Sequence, residues 1–246
     1  MTDWLDPVRA SLDGRNAPVA FFLRDDDGGW DDEALLALLD TVERRGMPID
    51  LALIPDACGA PLARRLRDRD SKGVHLHQHG RAHVNHELGG RKCEFGPSRS
   101  ADQQRDDVAA GRRRLRDLVA DRLEPIFTPP WNRCTAATVQ CLVDFDFELL
   151  SRDITAGAGA DAVGELPVTL DWTGRRGAST GAFGWGITIA GSIRTAQQPI
   201  GLMLHHAVMS ELDREMLGSL LDVLASHDAV RFSSMLELAR SRGGAP

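Results

Sequence analysis

Val19-Ala20-Phe21-Phe22-Leu23-Arg24-Asp25-Asp26-Asp27-Gly28-Gly29-Trp30 is the stretch on which the reading of this chain turns. A run of apolar residues bounded by turn-forming ones reads as a buried strand. It ends on an arginine, three adjacent carboxylates and two glycines. Neighbouring carboxylates repel one another, so such a run is costly inside a fold unless a cation or an arginine compensates. Asp31 and Asp32 have a simpler role, at the N-terminus of the helix that follows, where the helix dipole favours negative charge.

Outward from this stretch, short apolar runs alternate with helical patterns. Helix is predicted over 31–45, strand over 49–54, helix over 61–69, strand over 74–78, helix over 100–123 and strand over 126–128. The second half gives helix over 135–143, strands over 147–150, 166–170 and 200–205, helix over 210–225, strand over 230–232 and a final helix from Ser234. Strands alternating with helices imply parallel pairing, because parallel neighbours need a crossover connection. About seven or eight such units in 246 residues fit a closed α/β barrel better than an open sheet, with chemistry at the C-terminal ends of the strands. Residues 155–192 carry nine glycines and little periodicity, and are expected to be loop-rich. No repeat or linker divides the chain, so residues 1–246 are expected to form one domain.

Composition narrows the function classes. With 42% hydrophobic and 26% charged residues the chain is that of an ordinary globular protein, and a net charge of -7 argues against a nucleic-acid partner. No apolar stretch is long enough to span a bilayer, and the first residues lack the order of a signal peptide, so a cytoplasmic location is expected. Cys58, Cys93, Cys134 and Cys141 form no CxxC pair and are expected to be reduced. There is no tyrosine, so the aromatic wall of any pocket must come from Phe or Trp, with Trp30, Trp131, Trp172 and Trp185 as candidates.

Five of the eight histidines, His75, His77, His79, His83 and His86, fall within twelve residues. Along a strand His75, His77 and His79 share a face, and His79 and His83 at i, i+4 would grip one metal from one helical turn. Metal binding is the stronger reading and a proton-relay network the other. A His-x-x-x-His pair with one Asp makes a two-nitrogen, one-oxygen set that suits Zn²⁺ and leaves a position open, and also accepts Co²⁺, Mn²⁺, Ni²⁺ or Fe²⁺. A second carboxylate beside the ligand would accept a proton from water. Thr128-Pro129-Pro130-Trp131-Asn132-Arg133 and Leu202-Met203-Leu204-His205-His206 likewise follow strands, supplying an indole face for a sugar ring and a histidine able to act as general acid.

Taken in chain order, Asp-Asp-Gly, His-x-x-x-His, Pro-Pro-Trp and Leu-x-Leu-His resemble the motifs of the polysaccharide deacetylases, the NodB-like esterases of carbohydrate esterase family 4. The resemblance spans roughly residues 19–240 and implies a distorted (β/α)7 barrel, related to the TIM barrel, that removes acetyl groups from sugars with a divalent metal. Carried over by position, Asp26 corresponds to the catalytic base, and Asp27, His79 and His83 to the metal ligands. Pro130 and Trp131 correspond to the oxyanion and substrate-binding turn, and His205 to the acid. Thr128 stands where the family has an arginine that orients the base, and Arg24, Arg133 or Arg152 are the available substitutes. The family's Asp-Trp motif is matched by Asp171-Trp172 or by the Ser151-Arg152-Asp153 segment. His206 stands where the family more often has Asp, and Asn85 and His86 extend the second motif. A divergent deacetylase of an acetylated amino sugar, small or lipid-linked, is the expectation. The alternatives are an amidase or cyclic-amide hydrolase on the same barrel and a carbohydrate-binding relic without turnover.

Overall fold

The computed structural model describes residues 3–70, 72–156, 162–174 and 181–243. Helix α1 (Asp6–Asp13) precedes strand β1 (Val19–Gly28), which is followed by α2 (Asp32–Glu43), β2 (Ile49–Leu53), α3 (Ala60–Arg67) and β3 (Val74–His79). Then come α4 (Ala101–Val119), β4 (Leu123–Thr128), α5 (Ala136–Asp144), β5 (Leu149–Leu150), β6 (Gly164–Glu165), β7 (Leu170–Asp171) and α6 (Gly181–Thr195). The chain ends with β8 (Ile200–Leu204), α7 (Glu211–Ala225), β9 (Val230–Phe232) and α8 (Met235–Gly243).

All pairings are parallel, in the order β6-β5-β4-β3-β2-β1-β8-β7, with β9 on the N-terminal half of β1. The segment 164–171 closes this row into a ring. Its first part pairs with β5, and the Val168 N–H donates to the Arg152 carbonyl at 2.8 Å. Its second part pairs with β8, where the Thr169 N–H donates to the Gly201 carbonyl at 2.9 Å. Counting β6 and β7 as one interrupted stave, the barrel has seven, the (β/α)7 arrangement expected. Its outer face packs Leu and Val of the strands against the helices, including Leu35, Leu38, Leu39 and Val42 of α2 and Leu217, Leu220, Leu221 and Leu224 of α7. The inward face of β1 and β3 is polar, carrying Arg24, Asp26, His77 and His79, and these side chains make the site.

Residues 155–192 depart from the expected loop. Residues 157–161 and 175–180 lie outside those described, but Gly181–Thr195 is a helix with Trp185, Ile189 and Ile193 on its buried face. Glycine disguises it, and packing explains the glycine: a Cβ on Gly186 would stand 1.9 Å from the Trp4 carbonyl oxygen, so α6 reaches the entry to α1 only with no side chain there. Helix α1 was not foreseen either. Its apolar positions, Leu5, Val8 and Leu12, are too few to stand out, yet all are buried.

Candidate metal centre

Strand β1 carries Arg24 and Asp26 to the barrel interior, since residues two apart share a face. Asp27 would then point away. A bulge prevents this: Asp25 aligns with Leu51 and Gly28 with Leu53, so β1 spends one more residue than β2, and Asp27 takes a left-handed φ of 70°. Both carboxylates therefore reach the mouth. The Trp30 N–H closes the turn onto the Asp27 carbonyl at 3.0 Å. Gly29, at φ 113°, passes so near the chain at Ala57 and Cys58 that a Cβ would lie 2.9 Å from backbone atoms of both.

Asp27 Oδ1 lies 3.4 Å from His79 Nε2 and 3.2 Å from His83 Nε2, is buried, and accepts no hydrogen bond. His79 is the last residue of β3, and its Nδ1–H donates to the Thr128 carbonyl at 2.9 Å, which turns Nε2 toward Asp27. His83 does not sit on a helical turn, as its spacing suggested. It lies in the loop after β3 at φ 56°, and that loop folds back because the buried Glu94 carboxylate accepts the N–H of Arg81 (3.1 Å) and Ala82 (2.8 Å). Burial pushes the His83 imidazole down to about 4, so it offers a lone pair. Burial also lowers His79, but Asp27, Asp26 and the Thr128 carbonyl together raise it by more, an attraction the site holds for any cation, a proton included. A buried carboxylate oxygen without a donor, facing two imidazole nitrogens, fits a divalent ion with an open coordination position. The His83 ring contacts the indoles of both Trp30 (4.7 Å) and Trp131 (4.4 Å).

Beside this trio, Asp26 is gripped by Arg24. The guanidinium donates from Nε to Oδ1 and from Nη2 to Oδ2, both at 2.9 Å, with neither side chain open to solvent. Arg24 is itself fixed by Ser151 Oγ (2.8 Å), Asn132 Oδ1 (2.7 Å) and Met203 Sδ (3.0 Å). Burial alone would raise the Asp26 carboxyl. The Arg24 charge, with those of His79 and His205, outweighs it and brings the group down to about 2. Of the three arginines considered for this place, Arg24 is the one on the carboxylate. Arg133 donates to the Lys92 carbonyl and Arg152 pairs with Glu165. Thr128 Oγ1 instead pairs with His77 Nε2 at 2.9 Å, and burial lowers that imidazole to about 3, so His77 is neutral.

The two histidines after β8 diverge. His205 Nδ1 lies 3.3 Å from Thr173 Oγ1, which donates to Asp171 Oδ1 at 2.8 Å, so Asp171 rather than Asp153 is the carboxylate linked to His205. His206 turns outward from the barrel, its Nδ1 at 2.6 Å from Asp25 and its Nε2 at 2.5 Å from the Trp30 carbonyl. Burial lowers this imidazole, and the Asp25 charge and hydrogen bond raise it further, to about 9. It is thus a buried cation bracing the Asp25–Trp30 turn, not a pocket residue.

The barrel has solved counterparts. A Mycobacterium smegmatis protein provisionally described as a polysaccharide deacetylase superposes with a TM-score of 0.70 at 15% identity, covering 95% of this chain and 94% of that one. The chain has the polysaccharide deacetylase fold. A family 4 acetyl xylan esterase from Clostridium thermocellum, solved with a cobalt ion, matches with a TM-score of 0.61 at 16% identity over 91% and 92% of the two chains. A CE4 family pseudoenzyme from Bacillus anthracis matches at 0.62 and 14% identity over 91% and 66%. No family sequence model and no curated protein sequence matches the chain.

On this deacetylase fold the remaining candidates separate. Trp172 and Trp185 pack edge to face, 6.1 Å apart, in the outer core, which leaves Trp30 and Trp131 as the aromatics of the site. Pro130 starts a tight turn in which Trp131 and Asn132 both have left-handed φ, and the turn's hydrogen bonds use the N–H groups of Asn132 and Arg133 rather than that of Trp131. His86 is outside the trio, its backbone N–H bonded to the Cys93 carbonyl. His75 is at the other end of the barrel with Asp50 and Glu124, where Glu124 pairs with His75 (2.7 Å) and Asp50 accepts the Met235 N–H at the start of α8. A cleft of about 740 Å³ opens alongside the trio, its walls including Trp131, Asn132, Arg133, Asp171 and Met203. Sequence reasoning missed Glu94, Asn132 and Thr173, single polar residues in loops whose roles arise only from what the fold brings to them. Among the described residues no helix is long and apolar enough to cross a membrane, and all four cysteines are free thiols.

Proposed function

We propose that this protein is a metal-dependent amide hydrolase that removes the acetyl group from an N-acetylated amino sugar. The observation that carries the reading is the convergence of Asp27 Oδ1, His79 Nε2 and His83 Nε2 on one point beside an arginine-clamped second carboxylate. A divalent cation held there, Zn²⁺ by preference for this donor set, supplies Lewis acidity that polarises an amide carbonyl and acidifies water.

The chain's own groups account for the rest. Asp26 accepts the proton of the attacking water. Arg24 holds it ionised and oriented, and each carboxylate oxygen keeps a lone pair beyond the one given to the guanidinium. As the carbonyl oxygen becomes anionic, the Trp131 N–H is the backbone donor available to it. His205 gives a proton to the nitrogen as the C–N bond breaks. Thr173 and Asp171 hold its Nδ1 side, leaving Nε2 for the substrate. The Trp131 face suits a sugar ring. Thr128 in the family's arginine position was the ground for a relic without turnover, and Arg24 supplies the missing cation from β1.

The reading is tested with purified, metal-loaded protein and a panel of N-acetylated sugars and simple amides. Acetate is expected from the sugars, and Asp27→Ala should lose bound metal and acetate release together. Full activity in Asp27→Ala would overturn the site. Release from simple amides alone would make the protein an amidase, and saturable sugar binding with no product would make it a binding relic.

A further inference from the structure

The cleft beside the metal centre is lined by Arg91, Arg133 and Arg152 as well as by Trp131. Its carboxylates already have donors close by. Glu87 accepts the N–H (3.1 Å) and Oγ–H (2.8 Å) of Ser98, Asp153 accepts the Thr155 N–H (2.7 Å), and Asp171 accepts Thr173. Arg152 is neutralised by Glu165 at 2.6 Å. The other two guanidinium groups have no carboxylate within ion-pair distance among the described residues. The Arg133 guanidinium donates one hydrogen bond, to the Lys92 carbonyl, and is lowered by burial first and by repulsion from Arg91 next, with Cys93 and Asp153 opposing. Two cations without an ion-pair partner among the described residues thus line one cavity. Such an arrangement gains when an anion sits between them, and paired guanidinium forks match the oxygens of a phosphoryl group better than a single charge would.

We propose that the substrate is a phosphorylated amino sugar: the acetamido group lies at the Asp27–His79–His83 end against Trp131, and the phosphoryl group lies between Arg91 and Arg133. This rests on the deacetylase reading for the chemistry but not for the anion site. The cleft has the size of pockets that enclose ligands of this kind.

The experiment compares acetate release from N-acetylglucosamine, its 1-phosphate, its uridine diphosphate conjugate and N-acetylmuramic acid. Binding of each is followed in parallel by calorimetry, for the metal-loaded protein and for Arg91→Ala/Arg133→Ala. The phosphorylated compounds should be preferred over the neutral sugar by about tenfold or more in kcat/KM and in affinity, and the double variant should bring that ratio close to one. Anion capture by the metal ion is separated at once, because it would survive the double variant. The two phosphorylated arms tell a sugar phosphate from a nucleotide sugar. Equal use of neutral and phosphorylated sugars, preference for N-acetylmuramic acid, or a ratio untouched in the double variant overturns the proposal and leaves deacetylation standing. Phosphate-dependent binding that the double variant abolishes, with no acetate from any compound, does the reverse.

Discussion

Arg24 and Asp26 are two residues apart on one strand, and their charges are buried together. Removing one partner of such a pair leaves an unpaired charge in the barrel, which costs about 3–5 kcal/mol, whereas removing both is far milder. Arg24→Met should therefore unfold at markedly lower denaturant, and Arg24→Met/Asp26→Asn should recover much of the loss. If Arg24→Met alone were as stable as the parent, the pair would not be structural. Asp26 was legible in the sequence because three adjacent carboxylates demand a reason. Its partner was one of three arginines there, and only the fold, which sets Met203 of β8 beside Arg24 in register and brings Asn132 from the turn after β4 onto the guanidinium, selects Arg24.

At the scale of elements, the strands were legible because their apolar runs end in the residues of the proposed site, and α2 and α7 because their leucines repeat at helical spacing. Helix α6 escaped because its glycines suppress that pattern, although the same glycines let it pack against α1. Gly186→Val places side-chain carbon on the Trp4 carbonyl and should destabilise the fold by about 1–3 kcal/mol, read as a lowered melting temperature. An unchanged melting temperature would mean that α1 is free to move away. The loop carrying His83 is the converse case. His-x-x-x-His spacing picked out the two histidines that meet Asp27, but through a helical turn that is not there. The buried Glu94 carboxylate does the positioning, and a Glu eleven residues downstream announces no such role.

For the whole molecule, two buried groups with displaced pKa values set the response to alkali. His206 is raised from its ordinary 6.5 to about 9 by Asp25 against the cost of burial, so its contribution is complete below about pH 6.5 and is lost as pH rises through 9. The full loss is roughly 3 kcal/mol, at about 1.4 kcal/mol per pKa unit. Asp50, pushed up to about 8 by burial, also favours the protonated form, and its contribution declines from about pH 4 to pH 8. Stability from urea melts should thus fall steadily between pH 6.5 and 9, and the decline between pH 8 and 9 should vanish in His206→Gln, which starts from a lower value. A decline of unchanged slope in that variant would place the titrating group elsewhere. The His83 ring bears on the molecule in another way. Trp30 and Trp131 both contact an imidazole in the proposed ligand set, and with no tyrosine in the chain near-ultraviolet emission comes from indoles. Trp172 and Trp185 are shut in the core and Trp4 packs against it, which makes the pair beside His83 the component of that emission most sensitive to what His83 holds. A paramagnetic ion such as Co²⁺ at the trio would darken it, giving the protein a built-in optical gauge of its own occupancy.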